Sequence, residues 1–420
     1  MPETLEGDTR RDSFEEFQSF VRKALADLGV DTAEQFSLRG GGADVEKVAK
    51  FLWTLNEFLY VQSDLGGKDV ISPYHKFWMD HYQEILGLSI DESQCGKVAA
   101  RLESLFREHA SSEGFHPSLG GFVELTPRLI ANARFFTAAQ DFTIRFREST
   151  YSIAHEQPEL FDAERILRDP QSIDILLRRL GAESQYDKRR KYARLCAAVL
   201  VNDYGGDAST LARVHNGDAL EIRRTLVEND NPEYAGTLGY SNKKANMLIR
   251  DMYELGVWEG LTNLDKLDVS SDANTMRIAL RLGILRSRIP LLTSFLDIYG
   301  LQYGAVDMAS SAAWRRVWEK WGEIPQNNRV AAPAFFDFII YRIGQICCKP
   351  NTRACENACK GKRLEQLRQL IPDTDGYCPF RGLEGHETRL LNPPRAISIE
   401  QSTGWKRGKT NKGGGGGISA

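Results

Sequence analysis

Apolar residues recur every three or four positions along most of this chain, the spacing that places them on one face of a helix. Phe14, Phe17, Phe20, Val21, Ala24, Leu25 and Leu28 form the first such stripe, closed by Gly29. Asp44 then stands as a cap before the segment 45–61, rich in Phe51, Leu52, Trp53, Leu55, Phe58 and Leu59. Helical spacing continues through 73–87, 92–110 and 123–147, and again at 162–169, 171–181, 187–203, 207–213 and 217–228. Further helices are predicted around 292–299, 312–321 and 333–346. Strand-like alternation is almost absent, so the pattern predicts an all-α fold.

The segment 111–121, SSEGFHPSLGG, interrupts the periodicity and predicts a first boundary at residue 118. A helical core is then expected over 119–300, and C-terminal helices with a cysteine-rich loop over 301–392. Beyond Pro379 periodicity fades, and 393–420 reads as a flexible tail, basic at Lys406, Arg407, Lys409 and Lys412 and rich in glycine. No apolar run approaches the roughly 20 residues of a membrane span. The acidic, polar start MPETLEGDTRRDSFEEF is unlike a secretory signal. The expectation is a cytoplasmic protein with no membrane partner.

Composition alters this picture little. At 420 residues the chain has room for two or three domains. Its 42% hydrophobic and 26% charged residues are ordinary for a globular protein. A net charge of −3 gives no basic signature, so any nucleic-acid contact has to come from local clusters. The candidates are Lys188, Arg189, Arg190 and Lys191, the Lys243–Lys244 pair, and the basic tail. His75, His81, His109 and His116 are too scattered for a metal set.

Candidate chemistry concentrates in 238–285. A glycine-containing turn feeds an amphipathic helix whose apolar stripe is Ala245, Leu248, Ile249, Met252 and Leu255. Lys243 and Lys244 fall in its first turn, where cations oppose the helix dipole. Such a position favours an anionic partner, such as a phosphate, and suits an amine nucleophile. Asp272 precedes a second stripe, Met276, Ile278, Ala279 and Leu282, as an N-cap. A carboxylate at a helix start can also stabilise positive charge developing on a sugar.

Five of the seven cysteines crowd into 347–378, a pattern that predicts a metal site before disulfides in a chain of this kind. Cys348, Cys355, Cys359 and Cys378 give the spacing C-x6-C-x3-C-x18-C, and four thiolates can hold a [4Fe–4S] cluster or a structural zinc. Cys347 is an alternative first ligand. Cys196, set among Leu195, Ala197 and Ala198, reads as a buried thiol.

These residues together carry a resemblance. The stretch DFIIYRIGQICC, followed by KPNTRACENAC, resembles the C-terminal region of endonuclease III-like members of the helix-hairpin-helix DNA glycosylase superfamily. In that family a helix glycine stands four residues before the first cysteine of a [4Fe–4S] loop, and six residues separate the first two cysteines. Gly344, Cys348 and Cys355 fit both spacings. Three residues rather than two then separate Cys355 from Cys359, and Cys378 follows after 18.

Residues 237–245, TLGYSNKKA, are similar to the family's Leu-Pro-Gly-x-Gly-x-Lys-Thr-Ala hairpin. Lys243 falls on the catalytic lysine, while Leu238 replaces the proline and Ser241 the second glycine. SDANTMR, 271–277, resembles Val-Asp-Thr-His/Asn-x-x-Arg, with Asp272 on the catalytic carboxylate and Arg277 on the arginine. Gln140, in AAQDFT, falls on the glutamine that fills the space left by a flipped base. The matches occur in order over 123–378.

The resemblance implies a two-lobed, all-α helix-hairpin-helix glycosylase fold, with an added N-terminal helical region over 1–118 and a four-cysteine cluster loop. It implies a cytoplasmic, nucleoid-associated monomer that excises a damaged or modified base from double-stranded DNA, in repair or in defence against modified foreign DNA. Lys243 and Asp272 would be catalytic, with Lys243 able to add AP lyase activity. Gln140, Gly239, Ser241, Lys244 and Arg277 would contact DNA, and Lys349, Arg353, Lys360, Lys362 and Arg363 of the cysteine loop would reach phosphates. Two further readings use the same scaffold: a non-catalytic protein that binds lesions in duplex DNA, and a hydrolase of free nucleosides or nucleotides.

Overall fold

The computed structural model describes residues 86–110, 124–141, 148–228, 238–287, 300–348, 357–383, 397–400 and 404–407, together with Gln83, Phe115 and Phe122. The helices predicted over 14–28, 45–61 and 292–299, and most of that over 73–87, lie outside them. Among the described residues the chain is mostly helical, in agreement with the all-α expectation. No helix among them is long and apolar enough to cross a membrane.

The chain divides into two compact units. The first opens with β1 (Ser89–Ile90) and α1 (Glu92–His109), the latter capped by Asp91, whose carboxylate accepts the Gln94 N–H at 2.9 Å. The second unit contains α2 (Pro127–Gln140), α3 (Thr150–Glu156), α4 (Ala163–Arg168), α5 (Pro170–Leu180), α6 (Tyr186–Tyr204), α7 (Leu211–Val214), α8 (Ala219–Glu228) and α9 (Asn242–Glu254). The chain returns to the first unit with α10 (Ala273–Leu282), β2 (Leu285–Arg286) and α11 (Gly300–Gly322). Most of α12 (Asp337–Cys347), all of α13 (Lys362–Leu370) and the strands β3 (Ile397–Glu400) and β4 (Gly404–Arg407) also belong to it.

Three expectations are corrected. The boundaries predicted at 118 and 300 fall instead after Ala110 and after Ser270, with Val330–Phe338 rejoining the second unit. The physical reason for the second shift is that α10 buries its apolar face within the first unit, where Gly344 of α12 allows close approach. A Cβ on Gly344 would lie 3.0 Å from the Asn274 Cβ and 3.2 Å from the Ile278 Cδ1. The helix predicted over 123–147 is shorter, because Thr126 and Pro127 fix its start as N-cap and first residue. The tail is not uniformly irregular: β3 and β4 pair antiparallel, Ile397 opposite Arg407 and Glu400 opposite Gly404, a hairpin encoded by the short alternation in ISIE.

In the second unit Phe135, Phe136, Phe161, Leu176, Leu177, Leu200, Leu248, Ile249, Met252 and Trp258 belong to one buried cluster. A charged group is set into it. Asp251, fully buried, bonds Arg250 at 2.7 Å and is also paired with Arg134; Arg250 in turn lies 3.9 Å from Asp337. Burial pushes the Asp251 carboxyl up, but the two guanidinium groups outweigh it and hold its pKa below the usual range. In the first unit α11 packs on α1 and buries Trp314 and Trp321 completely. Glu103 of α1 accepts from the Trp321 Nε1 at 2.5 Å, the Asn328 N–H at 2.7 Å and Arg107 at 2.6 Å, so this buried carboxylate is fully hydrogen-bonded.

Candidate functional site

The hairpin that carries Lys243 is built on the C-terminal end of α2 and the side of α6. Gly239 sits at φ +90, and a Cβ there would meet the Tyr192 ring at 2.6 Å and the Ala139 carbonyl oxygen at 3.0 Å. Only glycine satisfies both the dihedral and the space. Tyr240, buried, donates its hydroxyl to the Phe135 carbonyl at 2.6 Å, and the Cys196 thiol donates to the Leu238 carbonyl at 3.3 Å. Cys196 is the buried thiol expected from its neighbours, and burial pushes its pKa up.

The two lysines separate. Lys244 turns inward, its Nζ donating to the Gly239 carbonyl at 2.8 Å and the Ala139 carbonyl at 3.0 Å. Burial lowers its pKa to about 8. Arg189, fully buried on α6, donates to the Gln140 carbonyl at 2.5 Å and to the Ser184 carbonyl at 2.7 Å. Two cations thus sit on the last carbonyls of α2, where the helix dipole favours them. Lys243 stays half-buried on the first turn of α9, its own carbonyl accepting from the Ser270 hydroxyl at 3.1 Å. Asn246 ties the same turn to the following connection through the Asp268 carbonyl at 3.2 Å. Ser241 is the exposed N-cap and makes no side-chain capping bond.

Three DNA-contact expectations change in consequence. Lys244 is a structural tie of the hairpin. Gln140 is 1% exposed, with its amide 3.4 Å from the Arg189 carbonyl, so it lacks the exposure that filling a vacated base stack requires. The basic run 188–191 is interrupted: Arg189 is internal and Arg190 pairs with Asp174 at 3.1 Å, while Lys188, over the Tyr192 ring, and Lys191 stay exposed. Helical spacing carries the signal for both inward cations. Lys244 lies one turn before buried Leu248, and Arg189 three and seven residues before Tyr192 and Cys196.

Asp272 belongs to the first unit and is the N-cap its position predicted. Its Oδ1 accepts the Asn274 and Thr275 N–H groups at 2.8 and 2.9 Å, and its own N–H donates to the Thr275 hydroxyl at 2.6 Å, completing a capping box. Oδ2 accepts from the Asn274 side chain at 3.2 Å. Arg277 is half-buried on the same helix, α10. Asp265, in the connection between α9 and α10, is paired with Lys266 at 3.1 Å.

The cysteines converge at the C-terminal end of α12. The Cys347 thiol is within hydrogen-bonding reach of both Cys359 and Cys378. Cys347, Cys348 and Cys378 line one small cavity with Arg281, Leu282 and Phe380. Cys355 lies outside the described residues, and among those described no group of three or more His, Cys, Asp or Glu side chains could hold a metal ion.

A cavity of about 660 Å³ in the second unit lies at the opposite end of α2, lined by Thr126, Arg128, Asn132, Phe161, Arg165 and Arg168. The 14 residues of α2 put it roughly 20 Å along the helix from the hairpin, too far to serve the same chemistry. No protein-family model matches the chain, and no curated protein matches it.

Proposed function

We propose that this protein is a DNA glycosylase that removes a modified or damaged base from duplex DNA, with Lys243 and Asp272 as its catalytic residues. The observation that carries the reading is the hairpin. A glycine at φ +90 is locked against α6, the adjacent Lys244 is turned inward, and Lys243 is presented on the first turn of an amphipathic helix. In this reading the hairpin backbone holds a phosphate and the target nucleotide is extruded, because its glycosidic bond is inaccessible within the stack. The Lys243 amine attacks C1′ as the C1′–N bond breaks and its electron pair leaves with the base. In this reading Asp272 stabilises the positive charge on the sugar, and the amine's proton passes to water. The nitrogen lone pair of the resulting aminal then expels O4′, which takes up a proton, and the C1′ Schiff base so formed permits β-elimination of the 3′ phosphate.

The cysteine centre would be held by Cys347 or Cys348 at the end of α12 together with Cys355, Cys359 and Cys378, and when bound it would brace that part of the chain. In the test, duplexes carrying oxidised and alkylated bases are incubated with the protein and reduced with borohydride. Base loss with a covalent protein–DNA product, absent in Lys243→Gln, is expected. Base loss without the covalent product would overturn the nucleophile assignment, and no base loss from any duplex would overturn the function. The buried Gln140 and the engaged Asp272 carboxylate favour a second reading, a lesion-binding protein that does not cut. It predicts salt-sensitive duplex binding that survives Lys243→Gln with Asp272→Asn, and no base loss. Hydrolysis of free nucleosides predicts no duplex binding.

A further inference from the structure

We infer that the cavity at the start of α2 binds a small phosphate monoester, of the size of a nucleoside monophosphate, through Arg128, Arg165 and Arg168. Its volume of about 660 Å³ lies within the range of small-molecule sites. Three guanidinium groups line it, Arg128 from the first turn of α2 and Arg165 and Arg168 from one face of α4. Two carboxylates, Glu159 and Asp162, line it as well. Both are engaged: Asp162 caps α4, its Oδ1 accepting the Arg165 N–H at 2.8 Å, and Glu159 lies 3.9 Å from the Arg165 guanidinium. Arg128, by contrast, has no carboxylate partner among the described residues and donates to the Gly206 carbonyl at 3.4 Å, the long end of hydrogen-bonding range. Arg168 is paired with Glu164, but both side chains are mostly exposed, and such a pair is weak enough to be exchanged for a phosphate. The cavity therefore carries more positive than negative charge, with N–H donors in the planar fork that grips phosphate oxygens.

The walls are held in place by the fold itself, which lowers the cost of ordering them around a ligand. Asn132, 3% exposed, donates its amide to the Phe161 carbonyl at 3.2 Å and the Gly206 carbonyl at 3.0 Å, and its Oδ1 accepts the Ala208 N–H at 2.8 Å. One side chain of α2 thus fixes both the segment that leads into α4 and the loop that follows α6. Arg165 is anchored by the Ser172 hydroxyl, 3.1 Å from its Nε. Leu129, Pro158 and Phe161 supply the apolar part of the lining, which suits a compact carbon skeleton beside the phosphate. No residue of this cavity belongs to the hairpin, and ligand binding here stands or falls apart from base excision.

The test is isothermal titration calorimetry on the full chain at fixed ionic strength, with adenosine monophosphate, inorganic phosphate and adenosine as probes. The expected result is saturable one-to-one binding of adenosine monophosphate, weaker binding of phosphate and no binding of adenosine. The double variant Arg128→Gln with Arg168→Gln, both at exposed side chains, should bind adenosine monophosphate at least about tenfold more weakly, the scale of losing one charge-assisted hydrogen bond. Glu159→Gln, which removes a carboxylate from the lining, should bind it at least as tightly as the wild type. No saturable binding of adenosine monophosphate by the wild type, adenosine or phosphate bound as tightly, or an unchanged affinity in the double variant overturns the inference. If the double variant does not fold, Glu159→Gln decides: retained or tighter binding supports the inference and weaker binding overturns it.

Discussion

Gly239→Ala tests the hairpin most sharply, because two separable costs follow from the geometry. At φ +90 an L-residue lies in the left-handed region, which costs about 1–2 kcal/mol. The added methyl would also stand 2.6 Å from the Tyr192 Cδ2, 2.9 Å from its Cγ and 3.0 Å from the Ala139 carbonyl oxygen, far inside van der Waals contact. Two of these neighbours are atoms of a nearly buried ring and the third is helix backbone, so little can give way. Overpacking of this kind adds about 1–3 kcal/mol. The total is about 2–5 kcal/mol, read as a fall in the urea midpoint with an unchanged slope. Tyr192→Leu in the Gly239→Ala background should recover the steric part and leave the dihedral part. A Gly239→Ala change smaller than about 0.5 kcal/mol, the scale of an ordinary surface substitution, would refute the packing account.

Asp251→Asn should cost about 3–5 kcal/mol, because it leaves Arg134 and Arg250 as buried charges without their shared carboxylate. Since the folded pKa of Asp251 is lowered, its contribution is present above the unfolded value and is lost as pH falls through the folded one; acid unfolding of wild type and variant should converge there. For Lys244 the pH dependence has the same sign in a higher window: its folded pKa of about 8 lies below the ordinary 10.5, so the unfolded chain holds more protons between those values. Wild-type stability relative to Lys244→Met should therefore rise from pH 8 to pH 10.5, measured by denaturant titration at fixed ionic strength, and a flat difference would contradict the burial argument. Asp272→Ala should cost about 1 kcal/mol through the lost cap, whereas Asp272→Asn keeps the cap and should lose excision alone; thermal melts and base-release assays on the two variants separate these effects.

Much of this was legible in sequence because it rests on local rules. The apolar stripe Ala245–Met252 marked α9, and the offset of Asp272 to the stripe of α10 marked its N-cap. Burial of Cys196 followed from its apolar neighbours. What was not legible came from partners distant in sequence. Lys244 and Gln140 look solvent-facing until the end of α2 meets α6 and the hairpin, 105 residues separating Lys244 from the carbonyl it binds. Asp272 falls in a different unit from Lys243 because Gly344 admits α10 onto α12, a long-range fit that no local pattern encodes.

The most direct test of the proposed function is release of free base. Duplex DNAs carrying a range of oxidised, alkylated and bulky modified bases are incubated with wild type and with Asp272→Asn, and the small-molecule fraction is analysed by mass spectrometry. The account predicts at least one modified base released as the free base by the wild type and at a rate lowered at least about a hundredfold by Asp272→Asn, the scale of removing an electrostatic stabiliser from a transition state. Absence of free base from every duplex, or release at the same rate by the variant, would contradict it.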